Sequence, residues 1–512
     1  MAGENEAAPA FDYAPPGASA MLASLRGIGY SPATAIADLI DNSIAAEASR
    51  VRLDFLWRGA ASILRITDNG SGMDRDTLVE AMRPAGRHPN APRAPKDLGR
   101  FGLGLKTASL SQGKLLAVAS KVPGQRVEAR CWDLGHVEKV NAWQLLQGVP
   151  QEIADDITLL DEETQGTVVI VSGLDRLLGK EISDNATDRN RFYAMARTVE
   201  RHLAMTFHRY LEGASPKLMI TINGYDETSK ILPWDPFASK HLATAPTPIE
   251  YLNHSGGAIE VQGFVLPHRD RMTSAEFDLA EGPSGWQAHE GFFVYRGQRL
   301  LVSGGWLGLG PGRGWPQNGV HRLARLRLDL PTSGDHEWKV DIRKSSATPP
   351  PALRGRLQAL AESVRRDARE IFVQRAGGGS KQQRDQLVRV WQPVHSSRGV
   401  SYKIDRAHPV VSRALSAVGG ERSLVEEMLG VVEATVPLQR IWLDVVESNE
   451  TATQPSEAAI PDDDETSLLS LYRHMRTELQ LAPDVAKARL MKLEPFAAYP
   501  AAILRLPDIP GE

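Results

Sequence analysis

The chain has 512 residues, of which 42% are hydrophobic and 24% are charged, and its formal net charge is −4. At roughly 150 residues per domain, this length accommodates about three domains with buried cores. The small net charge excludes a whole-chain basic signal for nucleic acids or membrane surfaces, so any such argument depends on local charge.

The only cysteine is Cys131, which excludes an internal disulfide and indicates a reducing compartment. It lies in an alternating stretch that is typical of a strand. The first thirty residues lack the basic start and apolar run of a secretory signal. No apolar run approaches the ~18 residues of a membrane span. We therefore expect a cytoplasmic protein without a membrane segment, and the scattered histidines lack zinc-site spacing.

In chain order, the composition first predicts a flexible segment over residues 1–20. Ser31 and Pro32 suit the cap and the first position of a helix, and Ile36, Leu39 and Ile40 continue it with helical spacing. The next predicted elements are strands at 51–57 and 62–67, a helix after Asp74, a loop at 83–98, strands at 114–122, 127–133 and 166–172, and a helix at 189–211.

A second, strand-rich region is expected to begin near residue 217, with a long charged helix over 350–375 after it. The predicted fold class is α/β (α+β), with helices on a mixed sheet. The predicted domains are a flexible segment over 1–20, a first domain over 21–212, a second over 213–348, a helix and linker over 349–383, and a mostly helical region over 384–512.

Asp38 and Asn42 are four residues apart on the first long helix and therefore share one face. A carboxylate there can accept a proton from an attacking water. An amide oxygen is a hard, neutral ligand that suits Mg²⁺. Taken alone, ordinary polar positions on a surface helix explain the pair at least as well.

Asp68 follows a predicted strand and precedes Gly70 and Gly72. An ionised carboxylate only accepts hydrogen bonds, so it favours the amino group of adenine over the carbonyl of guanine. The glycines let the backbone approach a flat base without a Cβ clash. Taken alone, a tight turn is the simpler interpretation of this sequence.

Gly99, Gly102 and Gly104 open a helix, where unpaired N–H groups and the positive dipole end suit phosphate oxygens. Lys106 adds a charge for the terminal phosphate. Thr167 begins an apolar strand and offers a hydroxyl to Asp68 or to the base. Each of these signals is weak by itself.

The four motifs occur in the order typical of one family. Residues 20–175 resemble the gyrase, heat-shock chaperone, histidine kinase and MutL (GHKL) superfamily of ATPases. The resemblance implies a Bergerat-type nucleotide domain of helices on a mixed sheet, a ribosomal-S5-like transducer domain over 213–348, and binding of ATP with Mg²⁺. It also implies that residues 83–104 form a lid over the phosphates.

By this resemblance, Asp38 is the catalytic base, Asn42 holds the metal, Asp68 binds adenine, and Thr167 supports Asp68. The full set implied to contact the nucleotide is Asn42, Asp68, Gly70, Gly72, Met73, Gly99, Arg100, Phe101, Gly102, Leu103, Gly104, Leu105, Lys106, Thr107 and Thr167. Members that hydrolyse ATP usually carry glutamate at the place of Asp38, and the shorter side chain puts the hydrolysis rate in doubt. Asp41 is expected to point elsewhere on a regular helix.

Gyrase, MutL and MORC ATPases send a lysine from a second domain into the phosphate site. Lys344 is the first choice for this catalytic lysine and Lys339 the second, while a solvated basic strand end is the alternative. The stretches 291–300 and 304–306, and Gly104-Leu105-Lys106, look most like MORC-type proteins. Such proteins dimerise through their ATP-bound heads, so residues 1–30 are expected to cross to a partner copy.

The stretch from Arg296 to Arg327 is rich in arginine, and no acidic residue follows Arg296 until Asp329. Arginines can neutralise DNA phosphates without reading the base sequence. These candidate DNA contacts are Arg296, Arg299, Arg313, Arg322, Arg325 and Arg327. An interdomain or dimer surface is the alternative interpretation of the same stretch.

The resemblance therefore implies a homodimeric, ATP-driven clamp that acts on DNA or on a DNA-bound partner. A role in antiphage defence rests on association alone. Residues 384–512 are expected to bind a protein partner. Two alternatives stay open, which are an ATP-dependent conformational switch with negligible turnover and a chaperone-like ATPase acting on protein clients.

Overall fold

The structure is a computed structural model that describes residues 12, 14, 16–84, 104–254, 257–331, 337–341, 346–374, 388–396, 399–437 and 462–507. The chain divides into two compact units, Met1–Arg369 and Glu370–Glu512. Most of the flexible segment expected over 1–20 lies outside the described residues. Within the described ranges, no helix has the length and apolar character needed to cross a membrane.

The first unit contains a seven-stranded mixed sheet. Its strands are β1 (Arg50–Leu56), β2 (Ile63–Asp68), β3 (Leu115–Lys121), β4 (Glu128–Asp133), β5 (Leu146–Gln147), β6 (Gly166–Ser172) and β7 (Met219–Ile222). The spatial order is β5-β4-β3-β6-β2-β1-β7. Neighbouring strands are antiparallel, except that β1 and β7 are parallel. The predicted α/β fold class, with helices on a mixed sheet, is confirmed.

One strand lies where the sequence did not predict it. We expected the second domain to begin near residue 217, but β7 pairs in parallel with β1 and forms one edge of the first sheet. A four-residue apolar strand fits either sheet by pattern alone, because its partner is distant in sequence.

Both faces of the first sheet are buried. Val169 and Val171 pack on the helical face, whereas Val168 and Ile170 pack on the opposite face. The opposite face is covered by the 3-10 segments Gln151–Asp156 and Thr158–Leu160. Burial on both sides explains why β6 is a continuous apolar run rather than an alternating one.

Among the residues that the structure describes, seven helices contribute to the core on the helical face. They are α1 (Ala18–Arg26), α2 (Pro32–Ala45), α3 (Arg75–Met82), α4 (Gly104–Leu110), α5 (Leu134–Val140), α6 (Ala186–Thr206) and α7 (His208–Leu211). Leu22 and Leu25 of α1 are buried in this core, and Arg26 pairs with Asp175. We expected residues 1–30 to cross to a partner copy, but helix α1 within this segment packs on its own domain.

A second sheet of six strands follows in the same unit. Its strands are β8 (Ala245–Pro246), β9 (Glu250–His254), β10 (Gly257–Val265), β11 (Gly291–Arg296), β12 (Arg299–Ser303) and β13 (Ala324–Leu330), with helices α8 (Ser274–Glu281) and α9 (Pro351–Gln374). The order is β12-β11-β13-β10-β8, and β9 also pairs with β10. Helix α9 confirms the long charged helix predicted over 350–375.

The second unit combines a hairpin with helices. Its elements are β14 (Trp391–Ser396), β15 (Gly399–Ile404), α10 (Pro409–Ala417), α11 (Arg422–Ala434), α12 (Asp462–Thr477), α13 (Pro483–Leu490) and α14 (Pro500–Leu504). Leu468, Tyr472, Leu490 and Phe496 are buried in its small core.

Candidate active site

Two residues, Ser31 and Pro32, fix where helix α2 begins. The Ser31 side chain accepts a hydrogen bond from the backbone N–H of Thr34, and Pro32 occupies the first turn, as predicted for this cap. The helix buries Asp38 and Asp41, which are 4% and 2% exposed. Asn42 is exposed on the same helix. The candidate base is therefore a buried carboxylate, and the candidate metal ligand is open to solvent.

Both carboxylate oxygens of Asp38 already accept hydrogen bonds. The Tyr30 hydroxyl donates to Oδ2 at 2.8 Å, and Nη2 of Arg299 donates to Oδ1 at 3.2 Å. Burial, followed by the charge of Asp38, raises the pKa of Tyr30. The phenol therefore stays protonated and remains a donor to Asp38 at neutral pH.

The same arginine also binds a second carboxylate of α2. Nε of Arg299 donates to Asp41 at 2.8 Å, and Arg299 is 3% exposed. The expectation that Asp41 points elsewhere is wrong, because residues three apart on a helix are neighbours. Arg299 and Tyr30 were not recognised as parts of this site from the sequence, although the i, i+3 spacing of the two aspartates was a usable signal.

Asp68 lies at the end of β2 and is bonded to α2. The Ser43 hydroxyl donates to its Oδ2 at 2.8 Å, and the backbone N–H of Gly70 donates to Oδ1 at 2.9 Å. The carboxylate is 8% exposed. Burial raises its pKa, and the hydrogen bonds from Ser43, Gly70 and the Thr167 backbone oppose that rise. Asp68 is thus a buried acceptor held between a helix and a strand.

The glycines after Asp68 are explained first by contacts within the protein. A Cβ on Gly70 would lie 2.7 Å from Cβ of Ala46, and one on Gly72 would lie 1.9 Å from the carbonyl oxygen of Lys121. Gly72 also has a φ of +70°, which favours glycine. The predicted close approach of backbone is present, but its partner here is other backbone of the same chain.

Thr167 lies opposite Asp68 in the antiparallel β2–β6 pair. Its hydroxyl, for which we expected either Asp68 or the base as partner, is instead 2.8 Å from the hydroxyl of Ser120. The backbone of Thr167, rather than its hydroxyl, bonds to the Asp68 side chain. Ser120 also accepts a 2.8 Å hydrogen bond from the backbone N–H of Met73 and donates to the carbonyl of Gly166. Ser120, which the sequence reasoning missed, therefore joins two of the predicted motifs, the stretch after Asp68 and the strand start at Gly166 and Thr167.

We expected Lys106 on α4 to reach the terminal phosphate, but its ammonium is bonded to the protein backbone. It is 3% exposed, and its Nζ donates to the carbonyl oxygen of Ala81 at 2.8 Å. Burial lowers its pKa to about 8. Thr107, also on α4, is fully buried and forms a side-chain hydrogen bond with Tyr30. Gly104 and Leu105, at the start of α4, are partly exposed.

Several predicted residues cannot be placed. Gly99, Arg100, Phe101, Gly102 and Leu103, and with them most of the expected lid, lie outside the described residues, as does Lys344. Lys339 is exposed in a turn and has a φ of +46°.

The structure contradicts most of the predicted DNA surface. Arg325 is fully buried and donates to the carbonyl oxygens of Pro236 and Ala280. Arg299 is bound to α2, Arg296 is buried, and Arg327 pairs with Glu260. Of the six predicted arginines, Arg313 is exposed and Arg322 is partly exposed. The arginine-rich pattern therefore reflects internal ion pairs, backbone hydrogen bonds and burial more than a phosphate-binding face.

The residues present fit Mg²⁺ bound with a nucleotide. Mg²⁺ is usually held by one or two protein oxygens together with substrate phosphates and waters, rather than by a cage of carboxylates. The exposed amide of Asn42, one turn after Asp38, suits that mode. Among the described residues, no group of three or more His, Cys, Asp and Glu side chains is arranged to hold a metal ion alone.

Residues 30–167 match the family described as histidine kinase-, DNA gyrase B-, and HSP90-like ATPase. The match runs from Tyr30 to Thr167, so it includes both bonded centres, Asp38 and Asp68.

Similar proteins include the ATPase morc-1 of Caenorhabditis elegans, which is 31% identical over 93 residues, or 18% of this chain and 10% of that protein. The DNA mismatch repair protein MutL of Klebsiella pneumoniae strain 342 is 35% identical over 102 residues, or 19% of this chain and 16% of that protein. In both relatives the aligned part covers less than a fifth of the protein. Residues 30–167 are therefore similar in sequence to the GHKL superfamily of ATPases, and MORC and MutL proteins are among the proteins that the chain resembles over part of its length.

Proposed function

We propose that this protein binds ATP with Mg²⁺ and hydrolyses it, with Asp68 binding adenine and Asp38 acting as general base. One observation supports the proposal most strongly. The 2.8 Å hydrogen bond from Ser43 to Asp68 joins the helix that carries Asp38 and Asn42 to the predicted adenine acceptor. Adenine would thus contact Asp68 and the phosphates would lie near Asp38 and Asn42, on two elements that are hydrogen-bonded to each other.

Adenine selectivity follows from the chemistry of Asp68. An ionised carboxylate only accepts hydrogen bonds, so it can pair with the exocyclic amino group of adenine. The guanine carbonyl at the same position would face a like acceptor, and a buried mismatch of this kind costs about 1–3 kcal/mol. The protein is therefore expected to prefer ATP to GTP.

Hydrolysis depends on Asp38 and Asn42. The carboxylate of Asp38 would accept the proton of the attacking water, and the amide oxygen of Asn42 would hold Mg²⁺. When bound, Mg²⁺ supplies charge neutralisation at the phosphates. The protein's own contribution is the position of the base, which the contacts of Tyr30 and Arg299 fix.

The test is calorimetric titration of the full chain with Mg-ATP and Mg-GTP, together with steady-state phosphate release. We expect ATP to bind more tightly than GTP, Asp68→Asn to lose ATP binding, and Asp38→Asn to bind ATP without turnover. Asp74→Asn is a matched control, since asparagine also caps a helix and Asp74 only caps α3. No heat with Mg-ATP would refute the proposal.

One observation favours a second function, an ATP-dependent switch with negligible turnover. Both oxygens of Asp38 already accept hydrogen bonds in a buried site, so the base has reduced capacity to activate water. Tight ATP binding and nucleotide-dependent dimerisation, without phosphate release under any condition, would support the switch over the enzyme.

We further propose that ATP drives dimerisation and couples it to DNA or to a DNA-bound partner. The names of two relatives support this only in part, since one is an ATPase and the other a DNA mismatch repair protein. Light scattering with and without Mg-ATP tests dimerisation.

DNA binding is tested by the salt dependence of affinity, because phosphate contacts release counterions. Arg313 is the fully exposed candidate contact, since Arg322 is only partly exposed, and Arg313→Ala should reduce the salt slope by about one.

Two finer roles remain proposals. Residues 384–512 would bind a protein partner, which pull-down with purified candidates can test. An antiphage role would appear as a reduced plaquing efficiency in cells that express the chain, and as its loss with Asp68→Asn.

A further inference from the structure

The hairpin β11–β12 places one arginine against helix α2. Arg296 and Arg299 face each other across the turn, and the two intervening residues, Gly297 and Gln298, have φ values of +54° and +74°. Positive φ at both central residues defines the tight type of two-residue turn that matches strand twist. The turn fixes the start of β12, and thereby the position from which Arg299 extends.

The guanidinium of Arg299 is engaged on three sides. Nε donates to Asp41 at 2.8 Å, Nη2 donates to Asp38 at 3.2 Å, and Nη1 donates to its neighbour's carbonyl oxygen, that of Leu300, at 3.1 Å. A planar guanidinium presents its donors in a rigid fork. With the backbone contact holding one nitrogen, the other two fix where both carboxylates of α2 lie.

From this geometry we propose that Arg299 is a positioning residue for Asp38, through which the second sheet sets the orientation of the catalytic base. The inference rests on the proposed ATP hydrolysis. Asp38 is one methylene shorter than glutamate, so its reach depends strongly on the placement of α2. The bridge to Asp41 supplies a second anchor on the same helix, one turn from the base.

Lysine cannot replace this bridge. Its ammonium is a point charge on a flexible stem, whereas arginine holds two acceptors in a fixed plane. Arg299→Lys therefore keeps the positive charge near both carboxylates and removes the fixed geometry. A displacement of a catalytic group by about 1 Å costs on the order of 100-fold in rate.

The chain contains a matched control for a purely structural role. Arg65 also bridges two buried carboxylates, with Nη2 2.9 Å from Asp54 and Nη1 3.2 Å from Asp156. It is 8% exposed and lies in β2, where its partners come from β1 and a 3-10 segment rather than from α2. Arg65→Lys should therefore lower the melting temperature about as much as Arg299→Lys does, but it should not affect the position of Asp38.

The experiment measures kcat, the ATP dissociation constant and the melting temperature for the full-length wild type, Arg299→Lys and Arg65→Lys. We expect kcat to fall about 10- to 100-fold in Arg299→Lys, with ATP affinity unchanged, and to stay at the wild-type value in Arg65→Lys. The double variant Arg299→Met with Asp41→Asn removes one positive and one negative charge. It keeps the test open if Arg299→Lys does not fold, and it should show the same loss of kcat.

The possible failures are distinguishable. A wild type that binds ATP but releases no phosphate would overturn hydrolysis, and with it the role of Arg299. A wild type with turnover, but with kcat unchanged in Arg299→Lys or in the double variant, would overturn the inference alone. Equal losses of kcat in Arg299→Lys and Arg65→Lys would identify a general effect of folding and would also overturn it.

Discussion

The hydroxyl of Ser43 and the carboxylate of Asp68 are 2.8 Å apart, so helix α2 is bonded directly to the end of strand β2. This contact buries a carboxylate between two rigid elements. A site built on a helix and a strand holds its groups more closely than one built on loops. Because the ionised carboxylate of Asp68 is buried, it lowers the free energy of unfolding of the protein.

That cost gives a first prediction, on Asp68→Asn. Burial raises the pKa of Asp68, so the folded state disfavours the ionised form. Below the unfolded-state pKa both states are protonated, and the penalty is absent. As the pH rises through the folded-state pKa, the penalty develops fully. Urea unfolding from pH 3 to 8 should show Asp68→Asn gaining stability over the wild type as the pH increases, while ATP binding is lost.

Asparagine is a suitable replacement because its side-chain oxygen can still accept from Gly70 and its amide can bond to Ser43. Asp74→Asn controls for the general effect of removing a carboxylate, since Asp74 caps a helix at the surface. A stability difference that does not change with pH would contradict the assignment of the buried charge to Asp68.

A second prediction concerns Ser120, which connects the stretch after Asp68 to the strand start at Gly166 and Thr167. Ser120→Ala leaves the backbone N–H of Met73 without its side-chain acceptor and removes the contact with Thr167. An unsatisfied buried donor costs about 1–3 kcal/mol. We expect that loss of unfolding free energy in urea, together with a several-fold weaker affinity for Mg-ATP, because the loop after Asp68 loses its tie to β3.

Ser62→Ala is the matched control. Ser62 is also buried, accepts from the backbone N–H of Arg58 and donates to the carbonyl of Gly59. Its loss should destabilise the fold to a similar degree and leave ATP affinity unchanged. Equal effects of the two variants on ATP binding would show that Ser120 acts only through overall stability.

A third prediction is that Gly72→Ala destabilises the fold strongly. The new Cβ would lie 1.9 Å from the Lys121 carbonyl oxygen, and the residue has a φ of +70°. Gly124→Ala separates these two causes, since Gly124 has a φ of +75° with open space around its Cβ. Backbone strain alone costs on the order of 1–3 kcal/mol. Thermal unfolding should therefore show a clearly larger loss at Gly72, and similar losses would disprove the steric argument.

The sequence predicted those parts of the site that depend on local chemistry. The cap at Ser31, the strand that ends at Asp68 and the strand that begins at Gly166 all follow from side-chain periodicity and turn residues within a few positions. These features need no knowledge of distant partners. They place Asp38 and Asn42 on one helix and Asp68 at a strand end before any tertiary contact is considered.

The arginines show where such reasoning ends. Arg299 meets Asp41 across 258 positions of the chain, and Arg325 meets the Pro236 carbonyl across 89. Charged side chains are usually exposed, so an arginine-rich stretch is normally interpreted as a surface. Burial becomes possible only because acceptors from remote segments converge on each guanidinium, and no local pattern encodes that convergence.

The last prediction concerns Lys106, whose pKa burial lowers from 10.5 to about 8. Below pH 8 the ammonium is charged in both states, and its burial destabilises the fold throughout. Between pH 8 and 10.5 the unfolded state binds more protons, so the free energy of unfolding rises with pH. Lys106→Met lacks this group, and its stability relative to the wild type should fall across that window by at most about 3 kcal/mol.

Urea unfolding of the wild type, Lys106→Met and Lys139→Met at intervals from pH 7 to 11 measures this difference. Lys139 is exposed at the end of α5, so its variant corrects for the titration of surface lysines. A parallel pH dependence in all three proteins would mean that Lys106 is not buried as a charge. The contact with the Ala81 carbonyl would then not keep the ammonium away from solvent, and the predicted role of Lys106 at the terminal phosphate would regain support.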